Sequence, residues 1–158
     1  MASVGKKFED RFKEDWIKTV PGSFIYRLND QMSGYRGSSN PCDFITYKKP
    51  NIFLIECKEH LGNTFPFSAF RQYEKLLEYK DIEGVYAGVV LWMQDHDKVL
   101  WVPIKTFERL QKEGKKSFNI KMMDDYECIE LPSKKLRTFM ETDYNYLIRR
   151  INNEDATL

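Results

Sequence analysis

The chain of 158 residues is 42% hydrophobic and 15% aromatic, which is enough apolar material for one globular core. Its 25 basic and 24 acidic residues leave a formal net charge of +1, so bulk charge does not mark a nucleic-acid binder and any electrostatic footprint must be local. No apolar run reaches the ~18 residues of a membrane span, and the charged opening MASVGKKFEDRFKEDW is not a signal peptide. Three cysteines (Cys42, Cys57, Cys128) without a CxxC pair point to reduced thiols in a cytoplasm rather than to a disulfide frame or a zinc site.

In chain order, residues 3–19 read as an amphipathic helix that Ser3 can cap, with Val4, Phe8, Phe12 and Trp16 on one stripe and Pro21-Gly22 as its end. SFIYRL (23–28) reads as a strand, and the polar, glycine-bearing segment 29–40 as an exposed loop. CDFITYK and NIFLIECK read as two strands joined by KKPN. A helix is predicted over 68–81, capped by Ser68, then a long strand over 83–93 buried on both faces, a turn at DHDK, and the strand VLWVP. A short helix from Ile104 stops at Gly114, YECIELP gives a last strand, and residues 141–152 form a closing helix with Thr142 as its cap. This alternation predicts a single α+β domain over residues 1–152, one central mixed sheet flanked by helices, with a flexible tail at 153–158. Trp16, Trp92 and Trp101 belong to its core. The basic stretch Lys105–Lys121, with six Lys or Arg against Glu108 and Glu113, reads first as a solvated helix face.

One stretch does not fit a simple core. Ile52, Leu54, Glu56 and Lys58 alternate onto one side of the strand, and Phe53, Ile55 and Cys57 onto the other. A carboxylate at the edge of a core costs several kcal/mol unless it is paired or bound to a metal. A Glu56–Lys58 ion pair is one compensation. The hairpin around KKPN opens another, because it brings Asp43 opposite Glu56, and two adjacent carboxylates call for a cation between them. Hard oxygen ligands suit Mg²⁺, with Mn²⁺ able to substitute, and leave room for a phosphate oxygen.

Asp43, a twelve-residue gap and then Glu56-Cys57-Lys58 resemble the PD-(D/E)xK nuclease motif. With GKKFE, LIECKE, GNTFPFSAF and DYNYLIRRI around it, the sequence resembles RecU-type Holliday-junction resolvases of bacteria and their phages, over roughly residues 5–152. It departs from them in Cys42, where a proline-like partner usually precedes the aspartate, and in a short loop where the family carries its junction-binding stalk.

The resemblance implies a restriction-endonuclease-like core and a Mg²⁺-dependent endonuclease that resolves four-way DNA junctions by paired nicks. It implies Asp43, Glu56 and the Cys57 backbone carbonyl as metal ligands, Lys58 as the group that orients water and offsets charge, and Glu9 in the outer shell. Gln72, or alternatively Glu74, would take the polar position on the following helix, and Lys6, Lys7, Tyr35, Arg36 and Arg71 could grip DNA. Paired nicking further implies a homodimer, with strand 84–93 and the N-terminal segment as sources of its interface. Two other readings stand beside this one: a repair or restriction nuclease of the same superfamily, and a junction-binding protein without catalysis. His60 reads as incidental.

Overall fold

The computed structural model describes residues 4–29 and 40–153, with side chains from Lys7 onward. Helix α1 (Val4–Thr19) buries Phe8, Phe12 and Trp16 at the four-residue spacing that puts them on one stripe. It ends where Gly22 takes φ +73°, a conformation that favours glycine. Trp16 Nε1 donates to Ser23 Oγ at 3.0 Å, which fixes the turn into the sheet.

The sheet begins with β1 (Phe24–Arg27), β2 (Phe44–Lys48) and β3 (Asn51–His60) as an antiparallel meander. A short strand, β4 (Thr64–Pro66), leads into the five-residue helix α2 (Tyr73–Leu77). β5 (Val85–Met93) then runs parallel to β3, β6 (Lys98–Pro103) returns antiparallel, and helix α3 (Ile104–Lys112) follows. The rest is β7 (Ser117–Asn119), β8 (Ile129–Leu131), the hairpin β9 (Ser133–Lys135) and β10 (Met140–Thr142), and helix α4 (Asn145–Ile151).

Six strands form the main sheet in the order β1-β2-β3-β5-β6-β8. One face packs on α1, α4 and β10 through Phe12, Trp16, Phe53, Ile55, Cys57, Tyr144 and Leu147. The other packs on α2 and α3 through Leu54, Phe70, Leu76, Val89, Leu91 and Phe107. The result is the predicted mixed sheet between helices. All three tryptophans are buried. Gly88 permits one close contact: a Cβ there would stand 2.6 Å from the Val102 carbonyl oxygen and 2.9 Å from the Trp101 ring.

Several predictions need correction. The helix over 68–81 is broken, and Ser68 caps nothing: it sits exposed in a 3-10 turn at Phe67–Ala69, and only α2 is helical beyond it. Phe65, Phe67 and Phe70 all pack their rings against Phe107, at 6.3, 5.5 and 5.1 Å between centroids, and that convergence overrides the helical propensity of the segment. Thr142 lies in a strand. The first N–H of α4 is met instead by Asp143 Oδ1, which accepts from Asn145 at 2.9 Å. Strand β5 cannot supply a dimer interface, because it sits between β3 and β6 and is buried on both faces from Ala87 to Met93. Ser3, most of the 29–40 loop and residues 154–158 lie outside the described residues.

Candidate active site

The β2–β3 register pairs Phe44 with Ile55, so Asp43 and Glu56, one step further along, face each other. Leu54, two residues before Glu56, packs on the α2 side of the sheet, and Asp43 and Glu56 point to that side too. Their carboxyl groups are within hydrogen-bonding reach of each other. Strand β2 starts only at Phe44, so the N–H of Cys57 takes its acceptor from a side chain: Asp43 Oδ2, at 2.8 Å. The backbone N–H thus holds Asp43 in place beside Glu56.

Glu56 is 1% exposed. Lys58 Nζ stands 3.6 Å from its Oε2, so the ion pair expected from the alternation exists. That pair does not complete the site. Glu56 Oε1 is buried and has no hydrogen-bond partner among the described residues. Burial, and then the Asp43 charge beside it, push the Glu56 carboxyl up to about 9, against the opposing pull of Lys58. Glu9 adds a smaller push in the same direction from α1. It is held 3.8 Å from Arg27 Nη2, while Arg27 Nη1 donates to Asp10 Oδ1 at 2.7 Å.

Gln72 lies at the start of α2, its backbone carbonyl accepting from Leu76 and its Oε1 buried without a partner among the described residues. The break at Phe70 gives it this position, which a continuous helix over 68–81 would not have. Cys57 turns its side chain into the opposite core, where burial drives its thiol well above the usual range. Lys7 and Arg71 are exposed. The side chain of Lys6, and Tyr35 and Arg36 altogether, lie outside the described residues. His60 ends β3 with its ring edge-on to Phe65. The sequence reading gives Arg27 no role, although its alternation with Ile25 onto the α1 face is a legible signal.

The donor set suits a hard divalent cation. It offers two carboxylates, one with an orphaned buried oxygen, while the neighbouring Cys42 thiol is held protonated by burial and the Glu56 charge, pushed up to about 12, and donates to the Phe44 carbonyl. Among the described residues no three His, Cys, Asp or Glu side chains gather closely enough to hold a metal by themselves. Two side-chain ligands plus backbone and water oxygens is the arrangement that Mg²⁺ commonly accepts. On α3 the basic residues carry acidic neighbours. Lys105 pairs with Asp81, Lys112 with Glu108, and Arg109 with Glu113 and the face of Tyr126.

No helix among the described residues is long and apolar enough to cross a membrane. No protein-family model matches the sequence, and no curated protein matches it. Among solved structures, the chain is similar to Archaeoglobus fulgidus Hjc, a Holliday junction resolvase from an archaeal hyperthermophile. The TM-score is 0.57 and the identity 21%, over 77% of this chain and 93% of that one. The chain shares the fold of that protein, a restriction-endonuclease-like α+β core.

Proposed function

We propose that the protein is a divalent-metal-dependent endonuclease of the PD-(D/E)xK type that cuts four-way DNA junctions by paired, symmetric nicks. The observation that carries the reading is the buried Glu56 Oε1, left without a partner directly opposite Asp43 and beside Lys58. A core would not keep such an oxygen for stability alone. The fold it shares with a Holliday junction resolvase supports the same conclusion.

Asp43, Glu56 and the Cys57 carbonyl would hold Mg²⁺, with Mn²⁺ as a substitute. The ion supplies Lewis acidity toward a phosphate oxygen and lowers the pKa of bound water. Lys58 orients the attacking water and offsets charge as it develops on the phosphate. Glu9, steadied by Arg27, and Gln72, through its inward Oε1, hold waters around that centre. Lys6, Lys7, Arg71, Tyr35 and Arg36 would contact the DNA, the cations on phosphates and the tyrosine on an unpaired base. Paired nicks require two such sites in a homodimer, acting in the cytoplasm of a bacterium or of one infected by phage.

The deciding experiment is cleavage of a synthetic four-way junction and a linear duplex of the same sequence, with Mg²⁺ omitted and then added. The expected result is metal-dependent, opposed nicks in the junction and little cutting of the duplex. Equal cutting of linear DNA would make it a nuclease of the repair or restriction kind. Binding without nicking in either metal would make it a junction-binding protein.

A further inference from the structure

The basic stretch Lys105–Lys121 divides at Gly114, which takes φ +79°. Before it, Lys105, Arg109 and Lys112 are paired with acids. After it, Lys115, Lys116 and Lys121 are exposed, and none has an acidic partner among the described residues. These three flank β7, which pairs with β4 as a two-stranded ribbon outside the main sheet. Phe65 and Phe118 pair across the ribbon and are buried, so its other row, Thr64, Pro66, Ser117 and Asn119, faces outward. Both ends of the ribbon are fastened. The Phe67 N–H donates to the Lys116 carbonyl at 3.0 Å, and the Ile120 N–H to the Asn63 carbonyl at 2.8 Å.

The ribbon is also free of acid. Residues 60–73 and 114–123 hold no Asp or Glu, although the chain has nearly as many acidic as basic residues. It reaches the candidate site along two paths. His60 shares the strand face of Glu56 and Lys58 and sets its ring edge-on to Phe65 at 5.8 Å. Arg71, exposed, follows Phe67 by four residues and adjoins Gln72, whose Oε1 is buried without a partner among the described residues.

We propose that this ribbon is a second contact surface for DNA, with Lys115, Lys116 and Lys121 on phosphates of the strand that continues past the Asp43–Glu56 site. The contrast with α3 carries the inference: the same run of sequence spends its first cations on ion pairs and leaves its last three to a polyanion. The outward row between them is short and neutral, and its Thr, Ser and Asn are residue types that hydrogen-bond phosphate oxygens. Lys116 and Lys121 are five residues apart, at most about 17 Å at the rise of a strand. Phosphates of one strand follow at about 3.4 Å along the helix axis, so the ribbon spans roughly four or five nucleotides. The proposal rests on the nuclease reading. It adds a surface that holds the DNA and takes no part in the chemistry.

The test is binding of a synthetic four-way junction to the full chain without divalent metal, followed by fluorescence anisotropy over about 50–300 mM KCl. The triple variant Lys115→Gln, Lys116→Gln, Lys121→Gln is expected to raise the Kd at least about tenfold and to flatten the slope of log K against log salt by about two to three. The double variant Lys105→Gln, Lys112→Gln removes two paired cations and is expected to change the slope by less than about 0.5. Single-turnover nicking of bound junction by the triple variant in Mg²⁺ is expected within about threefold of the unmodified protein, because the lysines touch no reacting atom. Circular dichroism reports the fold; should the triple variant not fold, Lys121→Gln alone is expected to take about one from the slope. A folded variant with an unchanged slope overturns the proposal and leaves the ribbon to an acidic protein or to solvent. Equal losses in the α3 variant overturn it too, since bulk charge would then account for both. The slope is read without cleavage. A protein whose slope responds but which never nicks therefore defeats the nuclease reading alone, and one that nicks with an unresponsive slope defeats this proposal alone.

Discussion

Asp15 and Glu56 are both almost wholly buried, at 2% and 1% exposure, and they serve opposite sides of one sheet. Asp15 sits in α1 with both oxygens engaged. Oδ1 meets Arg11 Nη2 at 3.1 Å, and Oδ2 accepts from the backbone N–H of Thr142 at 3.0 Å. Burial raises its pKa, and the Thr142 N–H and Arg11 pull it back. Glu56 receives the same push from burial, then a second from Asp43, and only Lys58 opposes them. The first carboxylate ties α1 to β10 across the chain. The second keeps one oxygen unpaired beside another acid. A buried charge whose hydrogen bonds are complete is architecture; one whose bonds are incomplete is a place where chemistry can be done.

The widest separation between the two should come from Glu56→Gln. The amide keeps the shape and removes the charge, so junction cleavage in Mg²⁺ should fall at least about a thousandfold. The metal-free protein should be no less stable at pH 8, since keeping Glu56 protonated there costs the folded state free energy that a permanently neutral amide avoids. Asp43→Asn and Lys58→Ala should lose comparable activity. A Glu56→Gln protein that cuts within about tenfold of the unmodified rate removes Glu56 from the chemistry and, with it, the contrast drawn here.

Asp15→Ala tests the other side. It strands the buried Thr142 N–H and strips Arg11 of its closest partner, so urea unfolding should report a loss of about 2–4 kcal/mol. Cleavage per folded molecule should stay within about twofold, because no part of Asp15 reaches the Asp43–Glu56 pair. A loss under about 0.5 kcal/mol would mean that complete pairing is not what holds α1 to the hairpin.

Much of this contrast is legible in sequence, unevenly. The pairing of Asp43 with Glu56 follows from a two-residue period and one tight turn, both local, which is why the strand pair and the α1 stripe match the structure closely. Asp15 carries a weaker signal: it lies three residues after Phe12, on the stripe that faces inward, where a charge needs a named partner. That partner, Thr142, is far along the chain in a three-residue strand that no periodicity marks. The break at Phe70 is equally distant in origin, because the ring it serves belongs to Phe107 on α3. The exposed Phe24–Tyr47–Ile52 row has the alternation of a buried face, and sequence alone gives no reason for it to stay open.

The smallest expected effect is a slope with pH. In the absence of metal, Glu56 holds its proton up to about 9 in the folded protein and releases it near the ordinary carboxylate value of 4.5 when unfolded. The folded state therefore binds the extra proton between those values. Its stability is greatest below the lower one and declines as pH rises toward the upper one. Between pH 6 and 8 the decline should be about 2–3 kcal/mol, close to the limit of about 1.4 kcal/mol per pH unit for one proton. Glu56→Gln should flatten it, and so should saturating Mg²⁺, which replaces the proton as the partner of Oε1. Asp15→Asn should leave the slope in place over this window. Denaturant melts at three pH values, with and without Mg²⁺, would show it. A slope that survives Glu56→Gln assigns the proton to another group and leaves Glu56 ionised beside Asp43, with Lys58 as its counter-charge.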